Sequence, residues 1–295
     1  MPDEPRRSVQ ASGPRPVASA AMAPDSWGSR AAQLARVGEV EVLTWPMLAE
    51  LGVDAAFTAR DGGVSTGPYR SLNLGLHVGD DPAAVAENRR RAATALGASV
   101  DDFVFGMQVH GAHAAIVTAR DAGRGARSTA DALADTDALV TAERGPVLVT
   151  LVADCSPILL VDPDARVLAT VHAGWRGAVR DAVGATINAM AALGASARRI
   201  VAVIGPTVSP TGYVVGPEVE AAVRSSLGDA AQTVLWQHGD RWRLDVCGAN
   251  RAQLVAAGVA PGSVHLSPYA TGDGRFFSDR AARPCGRFGL LARLR

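Results

Sequence analysis

The sequence contains no lysine: all 29 basic residues are arginine, and 29 acidic residues bring the formal net charge to zero. That absence excludes a lysine Schiff base, a Ser-Lys dyad and a phosphate loop ending in lysine. Balanced charge without a basic stripe argues against nucleic acid as a partner. Cysteine is scarce. Cys155, Cys247 and Cys285 are odd in number and far apart, which is no disulfide framework and fits a reducing compartment. No apolar run approaches the roughly 20 residues that span a bilayer, and no apolar segment follows Arg6, Arg7 and Arg15 as a signal peptide would require. These absences read as a soluble, cytoplasmic chain with no membrane partner.

What is present is globular: 295 residues, 48% apolar and 20% charged, enough to bury a core. Residues 1–36, rich in Ala, Pro, Ser, Arg and Gly, read as a disordered extension, and residues 37–295 read as one domain. Apolar patterning predicts strands over 53–59, 103–109, 114–118, 137–142, 147–152, 157–162, 166–172, 200–204 and 287–294. Several are near-continuous apolar runs, as expected of strands buried on both faces. Asp81-Pro82 opens a helix that ends near Gly97. A second helix is expected over 174–193, where Val179, Val183, Ile187 and Met190 share a face. Pro217 opens another, and Asp245 caps one that closes at Gly258. The fold class is α+β, with helices covering sheets.

Three segments place reactive side chains at strand ends: Gln108-Val109-His110-Gly111, Ala153-Asp154-Cys155-Ser156-Pro157 and Val171-His172-Ala173-Gly174-Trp175-Arg176-Gly177. Loops at strand ends present groups to ligands, and glycines allow close backbone approach. His110, Cys155 and His172 make a three-ligand set for a catalytic zinc with an open fourth position. Their spacing is not a metal signature. A buried cysteine with two histidines satisfied by backbone partners is the competing reading.

Together with Thr58-Ala59-Arg60, Gly62-Gly63-Val64-Ser65, Ser71-Leu72-Asn73-Leu74-Gly75, His77-Val78-Gly79-Asp80 and Glu87-Asn88-Arg89, these segments resemble the YfiH-like, laccase-domain family from about residue 53 to 295. That family includes proteins described as purine nucleoside phosphorylases and as a peptidoglycan editing factor. The resemblance implies a single-domain four-layer α/β/β/α sandwich with two mixed β-sheets. It implies that His110, Cys155 and His172 hold zinc, copper being the other candidate, and form the catalytic centre. It also implies phosphorolysis of adenosine, inosine and S-methyl-5'-thioadenosine, with adenosine deamination in the same site and purine nucleoside and phosphate as partners. Three alternatives stand beside it: a cell-wall-precursor amidase using Cys155 as nucleophile and His172 as base, a copper polyphenol oxidase, and a non-catalytic metal-stabilised module. Oxygen-reducing blue-copper oxidases need more histidines than the six present. The chain departs from the family at Gly212-Tyr213-Val214-Val215-Gly216, with valine in an acidic position, and at Cys285, where threonine is usual.

Arg60 and Arg176, flanked by glycines, are candidate phosphate holders through a planar guanidinium fork. Asn73 reads as a substrate contact or a turn former. Asp154 reads as a residue orienting a metal ligand or capping a turn. His77 faces a pocket or bonds a loop. His113, His238 and His265 read as structural or exposed, and Cys247 and Cys285 as packing residues.

Overall fold

The computed structural model describes residues 32–295, so most of the expected N-terminal extension lies outside the described residues. Its last part departs from that expectation. Gln33–Val37 is a strand paired antiparallel with Val40–Thr44, and Leu34 packs against the core.

Strand alternation decides the layers. Along Val147–Val152, Leu148 and Val152 join Leu43, Phe57 and Leu290, while Val147, Val149 and Leu151 face Ala92 and Ala93 of helix Pro82–Ala95. Along Ser156–Asp162, Leu159 and Val161 meet the first sheet. Ile158 and Leu160 face the other way, onto Val183 and Ile187 of helix Ala182–Ala192 and Leu254 of helix Val246–Ala256. Both strands are buried on both faces, which is why their sequences read as near-continuous apolar runs. Each fully buried Leu or Phe contributes ~1.5–3 kcal/mol.

One sheet runs in the order Gln33–Val37, Val40–Thr44, Val53–Thr58, Phe288–Leu294, Val147–Val152, Phe103–Phe105, with only the last pair parallel. The other runs Val264–Leu266, Val201–Ile204, Ser156–Asp162, Val167–Ala173, Ala138–Thr141, Ala114–Ile116, with both edge pairs parallel. The chain is thus a four-layer α/β/β/α sandwich of two mixed sheets. Thr150 and Thr170 meet across the sheet interface, Oγ1 to Oγ1 at 3.0 Å, so that both buried hydroxyls are satisfied. No helix among the described residues is long and apolar enough to cross a membrane.

Two expected elements differ. The strand expected over 103–109 stops at Phe105, because the amides of residues 109–111 bond a side chain instead of a ladder. The helix expected over 174–193 is two, Trp175–Val179 and Ala182–Ala192. Asp181 breaks it: its backbone is left-handed, φ 55°, and its carboxylate caps the amide of Gly184 at 3.1 Å. The strands Leu235–His238 and Arg241–Leu244, which pair with each other, carry no clear apolar period and were not expected.

Candidate metal centre

Period two along Val167–Ala173 puts Leu168, Thr170 and His172 in one row, facing the other sheet. His172 therefore sits at the end of the inter-sheet space, 4% exposed. Cys155 lies between the paired strand ends, just before Ser156–Asp162. Ser156 pairs with Ala173, so the backbone ladder holds these two segments side by side. His110 comes from the loop after Phe105, with a left-handed backbone at φ 58°. The ligand atoms of His110, Cys155 and His172 all lie within 4.8 Å of one another. The two imidazoles meet edge to face, with centroids 4.8 Å apart.

Asp137 organises this cluster. Its Oδ1 lies 2.8 Å from His172 Nδ1 and accepts the His110 amide at 2.9 Å. Its Oδ2 accepts the amides of Val109 at 3.2 Å and Gly111 at 2.7 Å. A carboxylate on Nδ1 keeps the proton there and leaves Nε2 free to bind elsewhere. Arg180 closes the loop from the other side, donating from Nη1 to the His110 carbonyl at 2.7 Å. Gly174 leaves the room that Cys155 needs: a Cβ there would stand 2.5 Å from Cys155 Sγ.

The electrostatics follow from this packing. Burial pushes the Cys155 thiol up, but the charge of His172 and hydrogen bonds from His110 and His172 outweigh it and bring the thiol down to about 6. Burial lowers His172, but the Cys155 charge and the Asp137 bond raise it to about 9. Burial pushes the Asp137 carboxyl up, and its bonds to His172 and the backbone amides pull it below its ordinary value. These shifts favour the charged form of each partner, thiolate at Cys155 and imidazolium at His172. A tetrahedral ion bonded to S and N at 2.0–2.3 Å holds its donors about 3.5 Å apart, so the two histidines and one thiolate fit a single soft or borderline cation. The carboxylate behind His172 is the usual support of such a ligand.

The cluster opens into a cavity of about 780 Å³, lined also by Gln108, Tyr213 and the arginines Arg89, Arg176, Arg280, Arg283 and Arg287. Gln108 holds the wall by a two-point bond to the Leu151 backbone, at 2.7 and 2.9 Å. Burial, then the Cys155 charge, pushes the Tyr213 hydroxyl up to about 12, so it stays a donor.

The expected substrate contacts divide. Arg176 lines the cavity, stacked on Trp175 at 4.4 Å. Arg60 does not: its Nε donates to the Arg70 carbonyl at 2.6 Å and its guanidinium lies over Phe277. Asn73 does not either. It is fully buried, its side chain bonding the Gly75 and Arg287 amides, the Gly75 carbonyl and Asp80. Asp154 neither supports a ligand histidine nor caps the next turn. Its carboxylate accepts from Thr271, Ser278 and the Arg280 amide, tying the 271–280 loop to Cys155's neighbour. His77 lines the cavity. Asp137 and the arginines at 280, 283 and 287 were missed. The density of arginine between 275 and 287 was a visible signal. Asp137 gave none, standing as one polar residue at the mouth of an apolar strand.

A family model described as multi-copper polyphenol oxidoreductase laccase matches residues 54–295. The chain is 45% identical over 233 residues to the purine nucleoside phosphorylase ORF3 of Streptomyces griseus, covering 79% of this chain and 90% of that one. It is 42% identical over 241 residues to a purine nucleoside phosphorylase of Deinococcus radiodurans, covering 82% and 88%. Among solved structures, YlmD from Geobacillus stearothermophilus superposes with a TM-score of 0.83 at 35% identity, covering 89% of this chain and 98% of that one. The hypothetical protein YfiH of Bacillus licheniformis superposes with a TM-score of 0.86 at 30% identity, covering 90% and 100%. An arginine-lined cavity beside a His-Cys-His cluster, on a sandwich shared with these proteins across nearly their whole length, places this chain in the laccase-domain family of YfiH and YlmD.

Proposed function

We propose that this chain is a cytoplasmic, zinc-dependent purine nucleoside phosphorylase that takes adenosine, inosine and S-methyl-5'-thioadenosine and also deaminates adenosine. The observation that carries the reading is the convergence of His110, Cys155 and His172 within 4.8 Å in a cavity lined by five arginines. The names of the relatives agree with it. His110, Cys155 and His172 would hold the metal. Bound zinc supplies Lewis acidity and a water with a pKa near about 7, which suits deamination.

The chain's own residues do the rest. Asp137 holds the His172 ring and the His110 loop in one arrangement, so little reorganisation is needed on binding. In phosphorolysis a phosphate oxygen bonds to the sugar C1' as the bond to the base nitrogen breaks, and the base leaves with the electron pair. The arginines hold the phosphate for that attack. The Tyr213 O–H is a donor for a substrate oxygen or nitrogen.

A second reading has one observation in its favour: the Cys155 thiol lowered to about 6 beside His172, as in a cysteine hydrolase. One experiment separates the two. Purified protein of measured metal content is incubated with each nucleoside, with and without phosphate, and the products are identified. The expected outcome is free base and ribose 1-phosphate (5-methylthioribose 1-phosphate from S-methyl-5'-thioadenosine) only when phosphate is present, and inosine plus ammonia from adenosine without it. Absence of base release with every nucleoside, together with a trapped adduct on Cys155, would replace this reading with the hydrolase.

A further inference from the structure

The far wall of the cavity holds a charge that the protein does not neutralise. Arg89 is 2% exposed, yet no carboxylate lies within 4.0 Å of it among the described residues. Its guanidinium is held by carbonyls: Nε donates to Leu74 at 2.9 Å, and Nη1 to Gly125 at 2.7 Å and Ala126 at 2.8 Å. Phe105 lies 4.1 Å under it. Carbonyls orient a cation but cancel no charge, and a lone buried charge is costly. Nη2 makes no hydrogen bond among the described residues, and Arg89 lines the cavity.

A second guanidinium is brought to the same place. Leu74, whose carbonyl accepts from Arg89, donates its amide to the Arg287 carbonyl at 2.9 Å. Arg287 Nη1 is pinned to the Cys285 and Gly286 carbonyls, and its nearest carboxylate, Asp279, stands 3.6 Å from Nη2 and is shared with Arg283. His77, three residues beyond Leu74, lines the same cavity, close enough that both arginines act on its ring. Five arginines and two aspartates, Asp154 and Asp279, line the whole cavity. Arg89 is buried and Arg287 half-buried, whereas Arg176, Arg280 and Arg283 are exposed.

We infer that Arg89, Arg287 and His77 form an oxyanion subsite in the wall of the cavity, built for a phosphoryl group. Arg89 Nη2 and the Arg287 guanidinium meet two of its oxygens, and the His77 ring N–H a third. Inorganic phosphate and the 5'-phosphate of a nucleotide share this chemistry. The first source rests on the phosphorylase reading; the second does not.

The test is calorimetric titration of the full chain with inorganic phosphate and, separately, with adenosine 5'-monophosphate, alongside turnover assays. Inorganic phosphate is expected to bind. Arg287→Gln should weaken it at least about tenfold, as for loss of a charged hydrogen bond. His77→Ala should weaken it several-fold, and Arg60→Gln, at a guanidinium that lies over Phe277 away from the cavity, by less than twofold. Binding of the monophosphate alone, weakened by the same variants, assigns the subsite to a nucleotide and removes the phosphorylase reading. Phosphate binding with these losses but no phosphorolysis also leaves the subsite standing and overturns that reading. No binding of either probe, unchanged affinity in Arg287→Gln and His77→Ala, or a loss confined to Arg60→Gln overturns the subsite. Should Arg287→Gln not fold, His77→Ala, on the cavity-side loop, decides alone.

Discussion

Asp137 and His172 are joined by a 2.8 Å bond from Nδ1 to Oδ1, and the same carboxylate accepts three successive amides of the loop that carries His110. One side chain thus sets the orientation of one candidate ligand and the position of another. Asp137→Asn would keep an oxygen for His172 but turn an NH2 group toward the amides of Val109 and Gly111, donor against donor. The expected cost is ~1–3 kcal/mol of stability and a metal affinity lowered about 10- to 100-fold. Denaturant unfolding and a competitive chelator titration check the two effects separately.

Cys155 distinguishes the two accounts of the centre. As a ligand, its thiolate cancels half of the charge of a divalent ion, so Cys155→Ala should release the metal, abolish turnover and lower the melting temperature through lost ligand linkage. His110→Ala and His172→Ala should do the same. Metal analysis of the purified variants is decisive: a Cys155→Ala protein with full metal and no activity points to a nucleophile.

Gly174 tests whether the cluster tolerates displacement. A methyl group there meets Cys155 Sγ at 2.5 Å and His110 Cδ2 at 3.8 Å. Gly174→Ala should therefore push the thiolate aside. Overpacking strain of ~1–3 kcal/mol corresponds to a loss of metal affinity of roughly tenfold or more. Equal affinity in the variant would mean that Cys155 does not need its present position.

The three thiols should separate by pH. In metal-free protein Cys155 stays a thiolate down to about 6, because His172 and His110 favour the charged form, so its alkylation should fall only as pH drops through about 6. Burial raises Cys247 and Cys285 instead, and both should stay unlabelled at neutral pH. Bound metal should protect Cys155. Peptide mapping after iodoacetamide at stepped pH reads this directly; a Cys155 midpoint near an ordinary thiol value of about 8.5 would contradict the ion pair.

Much of the fold was legible because burial leaves a periodic trace. The runs at 147–152, 157–162 and 166–172 are nearly continuous in apolar residues, as strands covered on both faces require. Two of the misread elements are places where a side chain takes over a backbone bond. Asp137 ends the strand expected to reach Val109, and Asp181 cuts one expected helix into two. Neither event leaves a period to read.

The site divides along the same line. Sequence alone determined that no lysine chemistry is available and that His110, Cys155 and His172 stand at strand ends, the two histidines in glycine-bearing segments, because composition and local motif are properties of the chain itself. It also singled out Arg60, Asn73 and Arg176 alike. Only the tertiary structure decided that Asn73 is spent on holding a loop, that Arg60 lies over Phe277 away from the cavity, and that Arg89, Arg280, Arg283 and Arg287 face it. An arginine looks the same in sequence whether its guanidinium meets carbonyls, a ring or an open cavity. That depends on which distant segments pack around it, and strand pairing between residues more than a hundred positions apart settles it.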